Sequence, residues 1–399
     1  MTSVDWPDLT GKTILQIIPD LSAGGAERTT IEMTEAIRKA GGRALVASRG
    51  GRLESDLRQA GGELLRLNVA SKNPFVLRAN MRQLIDHIHQ DGIDLLHARS
   101  RAPGWSALWA AEATGIPFVT TYHGAYSGTA GLKRRYNSVM ARGDVVIANS
   151  DWTANHVHTV HDLPRDSIVT IPRGVDFETF DPKAVSAERR AALRESWGIA
   201  PTETRLLLVL PGRLTSWKGQ MTALEALALL EPSERQNLRL ILAGDDQGRS
   251  GYVAELNEFI VNEHLAECVS IVGHTEDMAA AYSLADIVLA PSTRPEAFGR
   301  VAAEASAMAK PVIVSDHGGQ RETVIEGQSG ARAEPGSARS LSACIRTMMQ
   351  LPAPARTTMG EVGQAHIREN FSKQKLQQAT LQVYATLFDR TASVENLPK

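Results

Sequence analysis

An α/β fold built from two doubly wound parallel sheets is predicted for this chain by three observations. Short runs rich in Val, Ile and Leu alternate with longer amphipathic segments along most of the sequence. The alternation breaks once near the middle and restarts on an apolar run. The length of 399 residues suits two domains of about 100 to 200 residues each.

The first series opens with TILQIIP (13–19), a glycine turn and the helical ERTTIEMTEAIRKAGG (27–42). Further strands are predicted at 43–48, 93–98, 117–123, 144–150 and 167–172, and the helical stretches between them would cover both faces of a parallel sheet. After IPRGVDFETFDP (171–182) comes a charged helical piece, Ser186 to Trp197, and then GIAPTET, rich in turn residues. The domain boundary is placed here, so that residues 1–185 form the first domain and 186–372 the second. The second series reads RLLLVLPGR (205–213), then 238–245, 268–274, 285–292 and 310–316. From Ser337 the chain reads as helical, and Leu376, Leu381, Tyr384 and Leu387 recur at helical spacing near its end, a face that needs a docking partner.

Composition excludes several classes. Lys plus Arg is 43 against 45 for Asp plus Glu, a formal charge of -2, so no global positive field exists to hold nucleic acid. A hydrophobic content of 43% argues against disorder. The only cysteines, Cys268 and Cys344, are far apart, which excludes a disulfide framework and a thiolate zinc site and fits a reducing cytoplasm. The N-terminus lacks a basic region followed by an apolar stretch, and no run approaches the roughly 20 apolar residues of a membrane span. A soluble cytoplasmic protein, or one attached at a membrane surface, is expected.

In open α/β sheets ligands sit beyond the carboxyl ends of strands. In PDLSAGGAER, Gly24 and Gly25 lie between the first strand and helix, where backbone amides favour an anion; a plain tight turn reads equally well. The loop is neither a Gly-x-Gly-x-x-Gly fingerprint nor a P-loop. PGRLTSWKG places Arg213 and Lys218 just past the strand that opens the second domain, either as a pyrophosphate clamp or as solvated surface charges. In PSTRPEAFGRVAAEASAMAKPVIVSDHGGQRETV (291–324), Glu296 and Glu304 have seven residues between them. Eight helical steps separate Cα atoms by about 12 Å, too far to act as an acid/base pair on one bond, so the two carboxylates need different partners. Glu296 is read in the loop, Gly299 near the helix start and Glu304 about one turn in; two acids near a helix start also complement its dipole without any ligand.

These residues together resemble the retaining glycosyltransferases of family GT4. Glu296 and Glu304 in EAFGRVAAE match the E-x7-E motif, GRLTSWKG the Arg/Lys pair, GGAE the amino-terminal glycine loop and TYHG the first-domain histidine, while NSDWTA and IPRGVD fall in family order. The resemblance covers nearly the whole chain. It implies the GT-B architecture, two Rossmann-like doubly wound domains facing across a cleft, with a C-terminal helix over 373–399 crossing back onto the first domain. It also implies that the donor is a nucleoside-diphosphate sugar. Arg213 and Lys218 would bind its diphosphate, Glu296 its sugar hydroxyls, and the amides of Phe298, Gly299 and Arg300 its sugar and phosphate. Glu304 would hold the ribose, main chain at Val272, Gly273 and His274 the base, His123 the donor sugar, and Gly24 and Gly25 would line the cleft. Retention by a front-face path needs no protein nucleophile. With Asp-x-Asp absent, neither a metal nor another cofactor is expected. One departure stands out: Arg173 occupies the position that often holds Asn in Asn-Gly-Val-Asp, where it would either add a charge to the cleft floor or pack at the hinge.

Three other signals carry less. His156, His158 and His161 do not share one helical face and have no cysteine nearby, which disfavours a metal site. Gly244, Asp245 and Asp246 place two acids where phosphate would be repelled, which favours a turn or a polar contact elsewhere in the donor cleft. From Arg99 to Arg142 the chain holds six basic residues, Arg99, Arg101, Lys133, Arg134, Arg135 and Arg142, against one acid, Glu112. With aromatic residues interleaved, the segment around Lys133, Arg134 and Arg135 reads as a face for an anionic acceptor or membrane, or as an ordinary basic surface. The expected function is transfer of a sugar to a glycan or glycolipid in bacterial surface polysaccharide or lipopolysaccharide synthesis. The alternatives are a UDP-sugar 2-epimerase of the same fold and a catalytically silent binding protein.

Overall fold

The structure, a computed structural model, describes residues 6–22, 24–124, 126 and 130–395, with side chains described as far as Arg390. The chain divides into two compact units: Met1–Arg173 with Lys373–Lys399, and Gly174–Ser372.

Unit 1 holds a parallel sheet of seven strands in the order β3-β2-β1-β4-β5-β6-β7. These are β1 (Thr13–Ile17), β2 (Arg43–Ser48), β3 (Glu63–Arg66), β4 (Leu95–Ala98), β5 (Phe118–Tyr122), β6 (Val145–Ala148) and β7 (Ile168–Thr170). Unit 2 repeats the plan with six strands in the order β10-β9-β8-β11-β12-β13: β8 (Leu206–Pro211), β9 (Leu238–Ala243), β10 (Val269–Gly273), β11 (Ile287–Ala290), β12 (Val312–Ser315) and β13 (Gly330–Ala333). All pairings between these strands are parallel. The strand order reverses between β1 and β4 in unit 1 and between β8 and β11 in unit 2, and such reversals open a crevice at the carboxyl ends of the strands.

Central strands such as β1 and β4 are buried at every position, as a sheet covered on both faces requires. Helix starts are built from local chemistry. The Ser150 hydroxyl accepts from Thr153 N–H at 3.0 Å to begin the Asp151–His161 helix, and Asn73 accepts from Phe75 N–H at 2.9 Å, with Pro74 opening the Pro74–Asp91 helix.

The division between units falls at 173/174, twelve residues ahead of the position expected from the sequence. Packing explains the difference. Val175 lies in an apolar cluster with Phe298, Ala303, Ile367 and Phe371, and its N–H donates to the Phe371 carbonyl at 2.7 Å. Val185, Trp197 and Ile199 pack against Leu207, Val209 and Ile241 on one face of the second sheet. Residues 174–185, expected at the end of the first domain, therefore belong to the second core.

The helix Lys373–Glu395 lies on unit 1. Leu376, Leu381, Tyr384 and Leu387 pack with Ile14, Met33, Ile37, Leu95 and Val119. At about 1.5–3 kcal/mol per large side chain, this stripe contributes about 6–12 kcal/mol. The Tyr384 hydroxyl lies 2.6 Å from His97 Nδ1, and His97 Nε2 lies 2.7 Å from the Thr121 hydroxyl. His97 is 0% exposed, and burial, with the Arg99 charge, pushes it well below the usual histidine range.

Candidate functional site

The loops that follow β8 and β11, at the strand-order reversal of unit 2, bring two predicted residues into direct contact. Lys218 Nζ donates to Glu296 Oε1 at 2.7 Å, with the two side chains 13% and 14% exposed. The Ser292 hydroxyl donates to the same oxygen at 2.5 Å, and His317 Nε2 donates to the Ser292 carbonyl at 2.8 Å. Burial alone would raise the Glu296 carboxyl. The Lys218 charge and hydrogen bond, the Ser292 hydrogen bond and His317 outweigh it and hold the group below its usual range. The Lys218 ammonium also sits 4.5 Å from the centre of the Trp217 ring. Glu296 is held through its backbone as well, its carbonyl accepting from Gly319 N–H at 2.7 Å.

Arg213 stands apart from this pair. Its side chain is exposed and makes no ion pair among the described residues, and its carbonyl accepts from Gln220 Nε2 at 3.0 Å. The structure thus shows one engaged cation and one exposed cation in the loop expected to supply a clamp.

The helix Arg300–Ala307 follows Gly299, whose φ of 87° is a conformation glycine adopts without strain. A Cβ there would lie 2.4 Å from Gln320 Cβ. Phe298 is buried and packs on Phe371, ring centres 5.6 Å apart. Glu304, 8% exposed, sits on the second turn, and its Oε2 accepts from the buried Tyr282 hydroxyl at 3.0 Å. Arg300 Nη1 approaches Glu304 Oε1 at 3.6 Å, while Arg300 Nε and Nη2 are buried without hydrogen-bond partners among the described residues. Glu296 and Glu304 therefore have separate partners. Burial and the Glu304 charge hold the Tyr282 hydroxyl well above its usual range, so it remains a donor. Ser292, His317 and Tyr282 were not singled out by sequence reasoning. Ser292 and His317 flank the motif in the chain, but Tyr282 lies in a helix that otherwise reads as packing.

At the end of β10 the register with β9 shifts between Ile271 and Gly273. Val272 is half-buried, Gly273 has a φ of 71° and His274 is exposed. The neighbouring Thr275 hydroxyl oxygen is buried without a partner. The Gly244-Asp245-Asp246 segment is a turn: the Asp245 and Asp246 carboxylates accept from Gln247 and Gly248 N–H at 2.9 and 3.0 Å.

Unit 1 carries the other predicted residues. Gly24 and Gly25 begin the helix Gly25–Lys39 after β1. His123 follows β5, with Nδ1 3.2 Å from Arg173 Nη2 and Nε2 buried without a hydrogen-bond partner. Burial, then Arg173 and Arg99, push this imidazole well below its usual range. The Glu27 carboxyl is pushed up, chiefly by burial.

The basic segment is not one surface. Arg99 is buried and donates to Gln16 Oε1 at 2.9 and 2.6 Å. Arg101 lies 4.1 Å from the Tyr126 ring centre, Arg142 lies 5.3 Å from that of Trp105, and Arg134 bonds Asp162 and the Val160 carbonyl. Arg134 is thereby tied to its own unit. Lys133 and Arg135 are exposed beside Leu132, which is 85% exposed. The three histidines of the Asp151–His161 helix also diverge: His156 stacks on Trp152, His158 meets the Leu163 carbonyl and His161 the Tyr122 hydroxyl. Among the described residues no three His, Cys, Asp or Glu side chains gather as metal ligands, and no helix is long and apolar enough to cross a membrane.

Comparison with known proteins identifies the family and the fold. Residues 23–179 match the family described as Glycosyltransferase Family 4, and residues 191–366 the one described as Glycosyl transferases group 1. The structure of a glycosyltransferase from Rickettsia africae superposes with a TM-score of 0.87 at 31% identity, covering 94% of this chain and 98% of that one. Anabaena HepE, solved in complex with UDP-glucose, gives 0.79 at 25% identity over 94% and 99% of the two chains. A D-inositol 3-phosphate glycosyltransferase from Jonesia denitrificans is 29% identical over 260 residues, 59% of each chain, so this chain spans about three fifths of the length of that relative.

Proposed function

Because the chain belongs to the family 4, or group 1, glycosyltransferases of GT-B fold, we propose that it moves a sugar from a nucleoside-diphosphate sugar to a glycan or glycolipid acceptor with retention of configuration. The observation that carries this reading is the Lys218–Glu296 pair at the strand-order reversal of unit 2. The HepE complex with UDP-glucose supports the donor class.

As the bond between the sugar and the diphosphate oxygen breaks, negative charge grows on the leaving group, and Lys218 with Arg213 meets it. Lys218 exchanges Glu296 for phosphate oxygens, which releases the Glu296 carboxylate to accept from hydroxyls of the transferred sugar. Phe298, Gly299 and Arg300 present amides to the sugar and phosphate, Glu304 accepts from the ribose hydroxyls, and main chain at Val272, Gly273 and His274 meets the base. Gly24, Gly25 and His123 serve the substrate from unit 1. The acceptor hydroxyl attacks on the face the phosphate leaves, and its proton passes to the departing phosphate oxygen. The reading calls for no protein nucleophile, metal or other cofactor. It places the acceptor in bacterial surface polysaccharide or lipopolysaccharide synthesis at the cytoplasmic membrane face, where the exposed Leu132, Lys133 and Arg135 would meet anionic headgroups.

The test takes the UDP-, GDP- or ADP-sugar that most raises thermal stability and follows its turnover by proton NMR. Free nucleotide with a retained anomer in the product is expected, and Glu296→Ala and Lys218→Ala should each reduce turnover by about 10² or more. Wild-type-like transfer in both purified variants would overturn the proposal. A changed nucleotide sugar without acceptor would identify a 2-epimerase, and binding without turnover a silent protein.

A further inference from the structure

In unit 1 the residue that departs from the common motif, Arg173, reaches a place that a glycine leaves open. A Cβ on Gly25 would lie 1.7 Å from Arg173 Nη1, so the guanidinium packs directly on the backbone at the start of the Gly25–Lys39 helix. From there Arg173 Nη2 lies 3.2 Å from His123 Nδ1. A guanidinium has donors only, so Nδ1 is the acceptor, and a neutral imidazole then carries its single proton on Nε2.

That Nε2–H points to an occupant. It is buried and has no hydrogen-bond partner among the described residues, and an unmet buried donor costs about 1–3 kcal/mol. The adjacent Asn149, 1% exposed, leaves its Oδ1 unmet as well, while its Nδ2 lies 3.5 Å from the His123 carbonyl. An unmet donor and an unmet acceptor thus follow the paired strands β5 and β6.

We propose that Arg173 is a positioning residue that holds His123 as the neutral Nε2–H tautomer, so that the imidazole offers substrate a hydrogen-bond donor and not a base. What the substrate is rests on the function proposed above. The groups around His123 agree with the assignment. Arg99 from the end of β4 and Arg173 both oppose its protonation, His97 is itself held neutral, and Tyr126 and Asn149 are uncharged. On the helix Gly25–Lys39 the Glu27 carboxyl interacts with Arg173. A donor also suits a path in which the departing phosphate takes the acceptor's proton.

The experiment uses the full chain labelled with 15N-histidine, with imidazole proton–nitrogen correlations recorded from pH 5.5 to 8 and His123 assigned by its loss in His123→Ala. Wild type should show His123 neutral throughout, protonated on Nε2. In Arg173→Met the tautomers should mix or His123 should titrate, and kcat/KM should gain an acid limb approaching tenfold per pH unit. Arg173→Gln, which keeps a donor without the charge, should retain the Nε2–H tautomer and serves if the Met variant fails to fold. An Nδ1–H tautomer in wild type, or an Arg173→Met spectrum identical to wild type, overturns the positioning role. Wild-type turnover in His123→Ala overturns the substrate contact alone; if Glu296→Ala and Lys218→Ala remain inactive, the proposed function stands.

Discussion

Replacing Lys218 by Met in the nucleotide-free protein removes the positive half of an ion pair whose side chains are 13% and 14% exposed. The Glu296 carboxylate is left with Ser292 as its remaining side-chain donor. Removing one partner of a buried pair costs about 3–5 kcal/mol, and the low end, about 3 kcal/mol, applies because neither side chain is fully sealed. For a unit of this size 1 kcal/mol moves Tm by about 2–4 °C, so the variant should melt about 6–12 °C lower. The double variant Lys218→Met/Glu296→Gln removes both charges and should recover most of the loss, within about 1 kcal/mol of wild type. Both should be inactive. Glu296 sits below the usual carboxylate range in the intact pair, so the pair's contribution is present above about pH 4.3 and lost as pH falls through the lower folded value. In the single variant only Ser292 and His317 still oppose burial, so the carboxyl's affinity for a proton rises and the deficit should shrink as pH falls toward 5. Differential scanning calorimetry at pH 7.5 and 5 reads all of this. A Lys218→Met midpoint within 2 °C of wild type at pH 7.5 would refute the claim that Glu296 depends on Lys218.

Tyr282→Phe deletes the 3.0 Å hydrogen bond to Glu304 and should weaken UDP binding about tenfold, as loss of a hydrogen bond to a charged group does. Isothermal titration against 2′-deoxy-UDP checks it: the preference for the ribonucleotide should shrink, and an unchanged preference would sink the link between Tyr282 and ribose recognition. His97 is sealed and held neutral. Because only the unfolded chain binds that proton, its contribution is complete above about pH 6.5 and falls by up to about 1.4 kcal/mol per pH unit below it. Urea midpoints from pH 7.5 to 5.5 should decline accordingly, and a flat profile contradicts the placement. Ending the chain at Ser372 removes about 6–12 kcal/mol of apolar packing from unit 1, comparable to the whole stability of a domain. Limited proteolysis should then degrade unit 1 and spare Gly174–Ser372.

Eleven of the thirteen strands follow from runs of Val, Ile and Leu bounded by turn residues. The exceptions, β3 (ELLR) and β13 (GARA), are edge strands with half-exposed positions. An edge strand needs little apolar surface, so its register comes from its neighbour and its own residues carry no periodic signal. The placement of the loop motifs was legible for a similar reason: Gly24, Gly25, Arg213, Lys218, Glu296 and Gly299 all lie in the segments that follow strands, which local order alone predicts. The domain boundary came twelve residues late because IPRGVDFETFDP runs on from the first series without a break in composition, whereas Val175 and Val185 are core residues of unit 2. The basic segment could not be resolved from sequence because charge counts ignore partners, and Arg99, Arg101, Arg134 and Arg142 have theirs within unit 1.

The amino-acid order by itself determined two parallel doubly wound sheets, the loops that follow their strands and the family, because strand periodicity and turn glycines act over a few residues. Tertiary structure alone decided which side chain answers which. Tyr282 meets Glu304 across 22 positions, Arg173 meets His123 across 50, and Lys218 meets Glu296 across 78. No local pattern encodes such pairings. They arise when the sheet aligns strand ends distant in sequence, and the charge and protonation of each group then depend on the neighbour it finds there.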